Sequence, residues 1–99
     1  MINHVVLFKL KEYSLEEKGE IIEELKFLLQ GLKEKTGLLE HIEVGVNYEL
    51  DAKSYDIVLL SHFKDLESLN LYRVHPEHLK VLERIKETTE LRAAVDYYF

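Results

Sequence analysis

The sequence predicts an α+β domain, a four-stranded antiparallel sheet with helices on one of its faces. Three observations carry this. Hydrophobic spacing changes from period two to helical and back in the order β-α-β-β-α-β, with no linker, internal repeat or low-complexity stretch, so residues 1–99 form a single domain. The first and third strand patterns are apolar on both faces, although helices can cover only one of them. The only proline, Pro76, divides the second helical element in two.

Residues 2–11 read as the first strand. Ile2, His4, Val6, Phe8 and Leu10 alternate with Asn3, Val5, Leu7 and Lys9, and β-branched and aromatic side chains dominate. Ser14 followed by Glu17 makes a capping box, and Ile21, Ile22, Leu25, Leu28, Leu29 and Leu32 recur at helical spacing behind it, so a helix is expected over residues 15–35, closed by Gly37. Gly19 and Gly31 each weaken it by up to about 1 kcal/mol relative to alanine, for which close packing is the expected reason. Alternation over residues 38–48 gives a half-buried second strand, residues 49–54 a polar loop, and residues 55–63 a third strand around Ile57-Val58-Leu59-Leu60.

Asp65 caps a short helix anchored by Leu66 and Leu69. Pro76 disfavours the α region at His75, so this helix ends near Tyr72 to Val74 and another starts with Pro76 at its first position and runs to about residue 88. His75 then serves as the cap of the second helix. His78, Leu82 and Ile85 fall on one stripe, which points a titratable ring inward beside two aliphatic residues. Residues 91–99 form the last strand, with Leu91, Ala93, Val95, Tyr97 and Phe99 opposite Arg92, Ala94, Asp96 and Tyr98. This order is that of the ferredoxin-like split βαβ arrangement. Its second sheet face would carry Val5, Leu7, Val58 and Leu60 into water, and an apolar patch of that kind marks an interface, so a homodimer with a two-sheet core is expected.

The formal charge of −6 repels phosphate backbones and anionic lipid, and the thirteen Lys and Arg are scattered, which argues against nucleic acid or a membrane surface as partner. The absence of cysteine excludes disulfides, a thiol nucleophile and thiolate metal sites. His75 and His78 with His4 or Glu77 lack a convincing third ligand, so neither metal nor cofactor is expected. The first ten residues lack the basic segment and cleavage site of a signal peptide, and the expected address is the cytoplasm.

The stretches Ile2-Asn3-His4-Val5-Val6-Leu7-Phe8-Lys9, Val44-Gly45-Val46-Asn47, Tyr55-Asp56-Ile57-Val58-Leu59, Tyr72-Arg73-Val74-His75-Pro76-Glu77-His78 and Arg92-Ala93-Ala94-Val95-Asp96-Tyr97 together resemble the stress-responsive dimeric α/β-barrel (Dabb) family over the whole chain. The resemblance implies dimers whose sheets pack face to face as a barrel. Some plant members are cofactor-independent polyketide cyclases, in which a tyrosine and a histidine matching Tyr72 and His78, and a strand 1 histidine matching His4, line an apolar cavity. This chain departs from that pattern at Ile57, where the cyclases carry a further histidine.

The expected pocket lining is therefore His4 and Phe8 from the first strand, Ile57 from the third, and Tyr72, His75, His78 and Leu82 from the broken helical element. Two function classes fit. One is a domain that holds a small apolar or aromatic ligand between His4, Tyr72 and His78. The other is a cofactor-free lyase or cyclase in which Tyr72 and His78 form an acid/base pair, with the cofactorless monooxygenases of the same dimeric barrel as a further enzymatic comparison that the His-Pro-x-His joint argues against.

Overall fold

The computed structural model describes residues 1–50 and 53–99. In chain order the elements are β1 (Ile2–Leu10), α1 (Leu15–Gln30), α2 (Leu32–Thr36), β2 (His41–Val46), β3 (Ile57–Phe63), α3 (Leu66–Val74), α4 (Pro76–Thr88) and β4 (Thr89–Tyr98). All strand pairs are antiparallel and the sheet order is β2-β3-β1-β4, the ferredoxin-like topology.

Local chemistry sets the helix ends. The Ser14 hydroxyl accepts from the Glu17 amide at 3.2 Å and donates to its carboxylate at 3.1 Å, closing the capping box. Asp65 accepts from the Ser68 amide at 2.8 Å, and His75 Nδ1 accepts from the Glu77 amide at 3.1 Å, with Pro76 at the first position of α4. Gly37 ends α2 at φ 67°, where a side chain would be strained.

Three expectations are corrected. The helix over residues 15–35 is two helices, because the chain makes a turn at Gly31 (φ −71°, ψ −16°), a residue of weak helix propensity. Close packing does not account for the internal glycines, since a Cβ at Gly19 would meet nothing within 4 Å and one at Gly31 would make ordinary contacts from 3.5 Å. The second strand is shorter than residues 38–48, leaving Tyr48 almost fully exposed, and the loop expected over residues 49–54 falls partly outside the described residues. In this glycine set the tight position is Gly45, whose Cβ would lie 2.9 Å from Val58 Cγ1.

The core lies between the helices and one sheet face. Ile2, Val6, Phe8 and Leu10 of β1 and Ile57, Leu59 and Phe63 of β3 are buried there against Ile22, Leu25, Leu29, Leu69, Tyr72, Val81 and Ile85. Arg84 of α4 clamps Glu24 of α1 through Nε and Nη2, both at 2.8 Å, a bidentate pair that holds the Glu24 carboxyl below its usual range. Buried Asp56 accepts from the Leu10 amide at 2.8 Å, fixing the end of β1 against the residue preceding β3.

The opposite sheet face is uncovered. Val5 pairs with Leu60 and Val95, and Leu7 with Val58 and Ala93, so these side chains form one apolar surface. Val5, Leu7, Val58 and Leu60 are half-buried, whereas Leu91, Val95 and Tyr97 of β4 extend the patch as exposed residues.

Candidate functional site

The site is built where β1 passes beneath the joint between α3 and α4. His4 faces the helices because it shares the strand face of Ile2 and Val6, and it is 6% exposed. Tyr72, in the last turn of α3, drops into the same space and is wholly buried. The chain turns at His75, and Pro76 starts α4, so His78 one turn later comes back over Tyr72. The Tyr72 and His78 ring centroids are 4.2 Å apart at 33°, Tyr72 and Phe63 are 5.0 Å apart, and Tyr72 and His4 are 6.4 Å apart at 71°. His4 from the start of the chain and Tyr72 and His78 from the α3–α4 joint thus form one corner, with Phe63 as its apolar floor.

The polar atoms of this corner are unevenly satisfied. His4 Nδ1 is hydrogen-bonded to Asp96 Oδ1, and Asp96 Oδ2 accepts from Arg73 Nη2 at 2.9 Å, so one carboxylate ties β1, β4 and α3 together. Arg73 Nη1 also donates to Asn70 Oδ1 at 2.9 Å. His78 Nδ1 lies 3.3 Å from the Arg73 carbonyl oxygen. A carbonyl only accepts, so Nδ1 carries the hydrogen and Nε2 keeps its lone pair. The Tyr72 hydroxyl is buried and has no hydrogen-bond partner among the described residues. It stacks on His78 and does not bond to it.

Electrostatics separate the two rings. Burial holds the His78 pKa below its ordinary value of 6.5; the Arg73 carbonyl opposes that shift, and the charges of His4, Arg92 and His75 reinforce it. The imidazole is therefore neutral at pH 7 and available as a base. Burial pushes the Tyr72 phenol well above its usual range, so the hydroxyl stays protonated and acts as a donor. A donor that cannot ionise sits beside a base that is uncharged.

The remaining expected lining residues are distributed differently. His75 is spent as the cap of α4. Leu82 is half-buried one turn beyond His78, packed against the core. Phe8 and Ile57 are core residues paired with each other, and Phe8 lies four positions along β1 from His4, about 13 Å away, outside this corner. Asp96 and Arg73 were not among the expected site residues. Alternation puts Asp96 on the helix side of β4, but only the register, His4 opposite Asp96, brings it to the site.

A cavity of about 150 Å³ adjoins the Arg73–Asp96 pair between α3 and β4, walled also by Ile2, Leu69 and Tyr98. His4, Tyr72 and His78 do not line it. A second cavity, of about 230 Å³, lies on the other sheet face beside Gly45 and Val58. Along β4 the helix layer stops short, so Arg92, Ala94, Asp96 and Tyr98 are exposed although they point to the helix side. Among the described residues no group of three or more His, Cys, Asp or Glu could hold a metal ion.

Comparison with known proteins places this architecture. Residues 2–99 match the sequence signature of the stress responsive A/B barrel domain. A stress-response A/B barrel domain-containing protein of Arabidopsis thaliana is 30% identical over 102 residues, covering 98% of this chain and 46% of that protein, so the chain spans about half the length of the curated relative it matches. A dimeric protein of unknown function and ferredoxin-like fold from Bacteroides fragilis is 36% identical with a TM-score of 0.89, covering 99% of this chain and 95% of that one. A hydroxynitrile lyase from Passiflora edulis shares the fold, with a TM-score of 0.75 at 16% identity, covering 97% of this chain and 90% of that one.

Proposed function

The chain belongs to the stress responsive A/B barrel domain family, and on that premise we propose that it works as a homodimer whose corner at His4, Tyr72 and His78 takes a small apolar or aromatic ligand. The observation that carries the ligand reading is the Tyr72 hydroxyl, buried without a partner among the described residues. Native proteins leave few such groups, because each forfeits about 1–3 kcal/mol of hydrogen bonding. A ligand carbonyl or hydroxyl would accept its proton. His78, held by a single 3.3 Å contact and only half-buried, is the ring that must swing aside to admit it.

The dimer rests on the uncovered apolar face of Val5, Leu7, Val58 and Leu60 and on the dimeric state of the Bacteroides fragilis relative. Packing that face on a second copy would close the two sheets into a barrel and leave the His78 corner on its outer, helix-covered side.

A second reading, a cofactor-free lyase or cyclase, is favoured by the protonation states. The Tyr72 hydroxyl would donate to a substrate carbonyl while His78 Nε2 removed a proton from an adjacent acidic carbon, and the resulting enolate oxygen would stay bonded to the phenol. The Passiflora edulis lyase is built on the same fold. Small aromatic and β-dicarbonyl compounds screened by thermal shift separate the readings, with Tyr72→Phe and His78→Ala as controls. A compound at a hundredfold excess over its Kd adds about 2.7 kcal/mol of stability. Binding that weakens in Tyr72→Phe without turnover identifies a ligand holder, and turnover lost in both variants identifies the enzyme. No stabilisation by any compound in the set would refute the ligand site.

A further inference from the structure

We propose that the cavity beside Gly45 is filled in the homodimer by the partner's Tyr97 and Phe99, with edge strand β2 of one protomer lying against β4 of the other; the inference rests on the dimer reading. The cavity, of about 230 Å³, opens on the uncovered sheet face and is walled by Leu7, Gly45, Val46, Asn47 and Val58. Position 45 contributes no side chain to it, and Val58 Cγ1, 2.9 Å from where a Cβ would stand, admits none. A glycine on an edge strand is best covered by an aromatic ring from a neighbouring strand. In the sheet order β2-β3-β1-β4 the outer side of β2 has no neighbour, so that ring must come from another copy. About 150 Å³ is room enough for benzene. The other edge, β4, supplies the rings. Tyr97 lies opposite Asn3 on the uncovered face, and Phe99 rests on that face 4.8 Å from the His62 ring and 59% exposed.

Symmetry and twist select these two residues. Two such sheets closed face to face make an eight-stranded barrel with the uncovered face inside. A two-fold axis along the barrel makes both seams β2 against β4. An axis across the barrel joins β2 to its own copy instead and brings the inward-facing Glu43 carboxylates together, which like charge opposes. Ala93, Leu7, Val58 and Gly45 form one row across the sheet. Strands of a closed barrel tilt by about 35–45°, and the partner's β4 lies four strand spacings of about 4.8 Å from this one. The row therefore meets the partner's β4 about 13–19 Å along the strand from Ala93, or about four to six residues. The right-handed β1–α1–β2 connection and the right-handed strand twist direct that displacement towards later residues of β4. Counting on from Ala93, the inward-facing side chains at that distance are Tyr97 and Phe99.

The chain has no cysteine, so single introduced cysteines report contacts between copies. Glu43→Cys and Phe99→Cys both replace exposed side chains. In the proposed barrel Glu43 lies opposite the partner's Phe99 or one diagonal step from it, at most about 7–8 Å away. Within one chain the two residues sit on opposite edges of the sheet, about 14 Å apart across the strands alone. Co-refolded and treated with a short bis-maleimide, the two variants are expected to give a covalent dimer that neither gives by itself. Self-linking of either variant would overturn the β2–β4 seam and leave the dimer intact, as would a mixture that sediments as a dimer without cross-linking. Phe99→Ala is expected to raise the dimer dissociation constant by about thirtyfold or more, the loss typical of a buried aromatic anchor. An unchanged constant would overturn Phe99 as the occupant. A parent chain that is monomeric at micromolar concentration would remove the dimer reading and this inference with it.

Discussion

Tyr72→Phe removes one oxygen atom and nothing else. The ring keeps its contacts with Phe63 at 5.0 Å and His78 at 4.2 Å, so no cavity forms and packing is retained. The atom removed is a hydroxyl that is buried and has no partner among the described residues. Leaving such a group unpaired costs about 1–3 kcal/mol, and the variant is therefore expected to be more stable than the parent by that amount. For a domain of this size each kcal/mol raises Tm by about 4–8 °C. The assay is urea and thermal denaturation of both proteins at the same concentration, since dimerisation makes Tm concentration-dependent. The same substitution is expected to weaken ligand binding, so stability and function would move in opposite directions, as they do where a site is held ready at the expense of the fold. A variant less stable than the parent by 1 kcal/mol or more would mean that the hydroxyl is already satisfied, and the reason for placing a ligand there would be gone.

Further perturbations test the other contacts. Leu60→Asp puts a charge into the uncovered sheet face and is expected to dissociate the dimer, because burying an unpaired ion costs several kcal/mol; sedimentation equilibrium would report about 11.7 kDa, and an intact dimer would assign the interface elsewhere. Asp96→Asn weakens the bonds to both His4 and Arg73 and is expected to destabilise by about 2 kcal/mol, given that the carboxylate is 31% exposed; an unchanged unfolding midpoint would make the His4–Asp96–Arg73 link incidental. His78 titrates lower in the folded protein than unfolded, so the unfolded chain binds the extra proton first. Stability is full above about pH 6.5 and falls as pH drops towards the lower folded value, and a His78→Gln variant is expected to flatten that part of the profile.

The parts of this molecule that were legible in the sequence are those set by neighbouring residues. Alternation alone assigned Ile2, His4, Val6, Phe8 and Leu10 to one face and Val5 and Leu7 to the other, because side chains on a strand have a period of two. Ser14 with Glu17, and His75 with Pro76, announced helix starts through local hydrogen bonds and a fixed φ. Distance along a strand was not legible from the face assignment. Phe8 and Ile57 share the side of His4 but sit in the core about 13 Å along, where no periodicity separates them from the corner. Nor was the partner of His4. Asp96 lies 92 positions away, and only the pairing register of β1 with β4 selects it over Arg92 or Tyr98. The exposure of Arg92 and Ala94 was equally hidden, because it depends on where α3 and α4 stop over the sheet.

The central claim is that a small molecule meets Tyr72, His78 and His4 in the space beneath the α3–α4 joint. Ring-selective NMR during titration with a compound found by thermal shift measures this most directly. The expected result is that the Tyr72, His78 and His4 ring signals move together and saturably. Shifts confined to Val5, Leu7, Gly45 and Val58, on the other face of the sheet, would place the ligand there and contradict the claim.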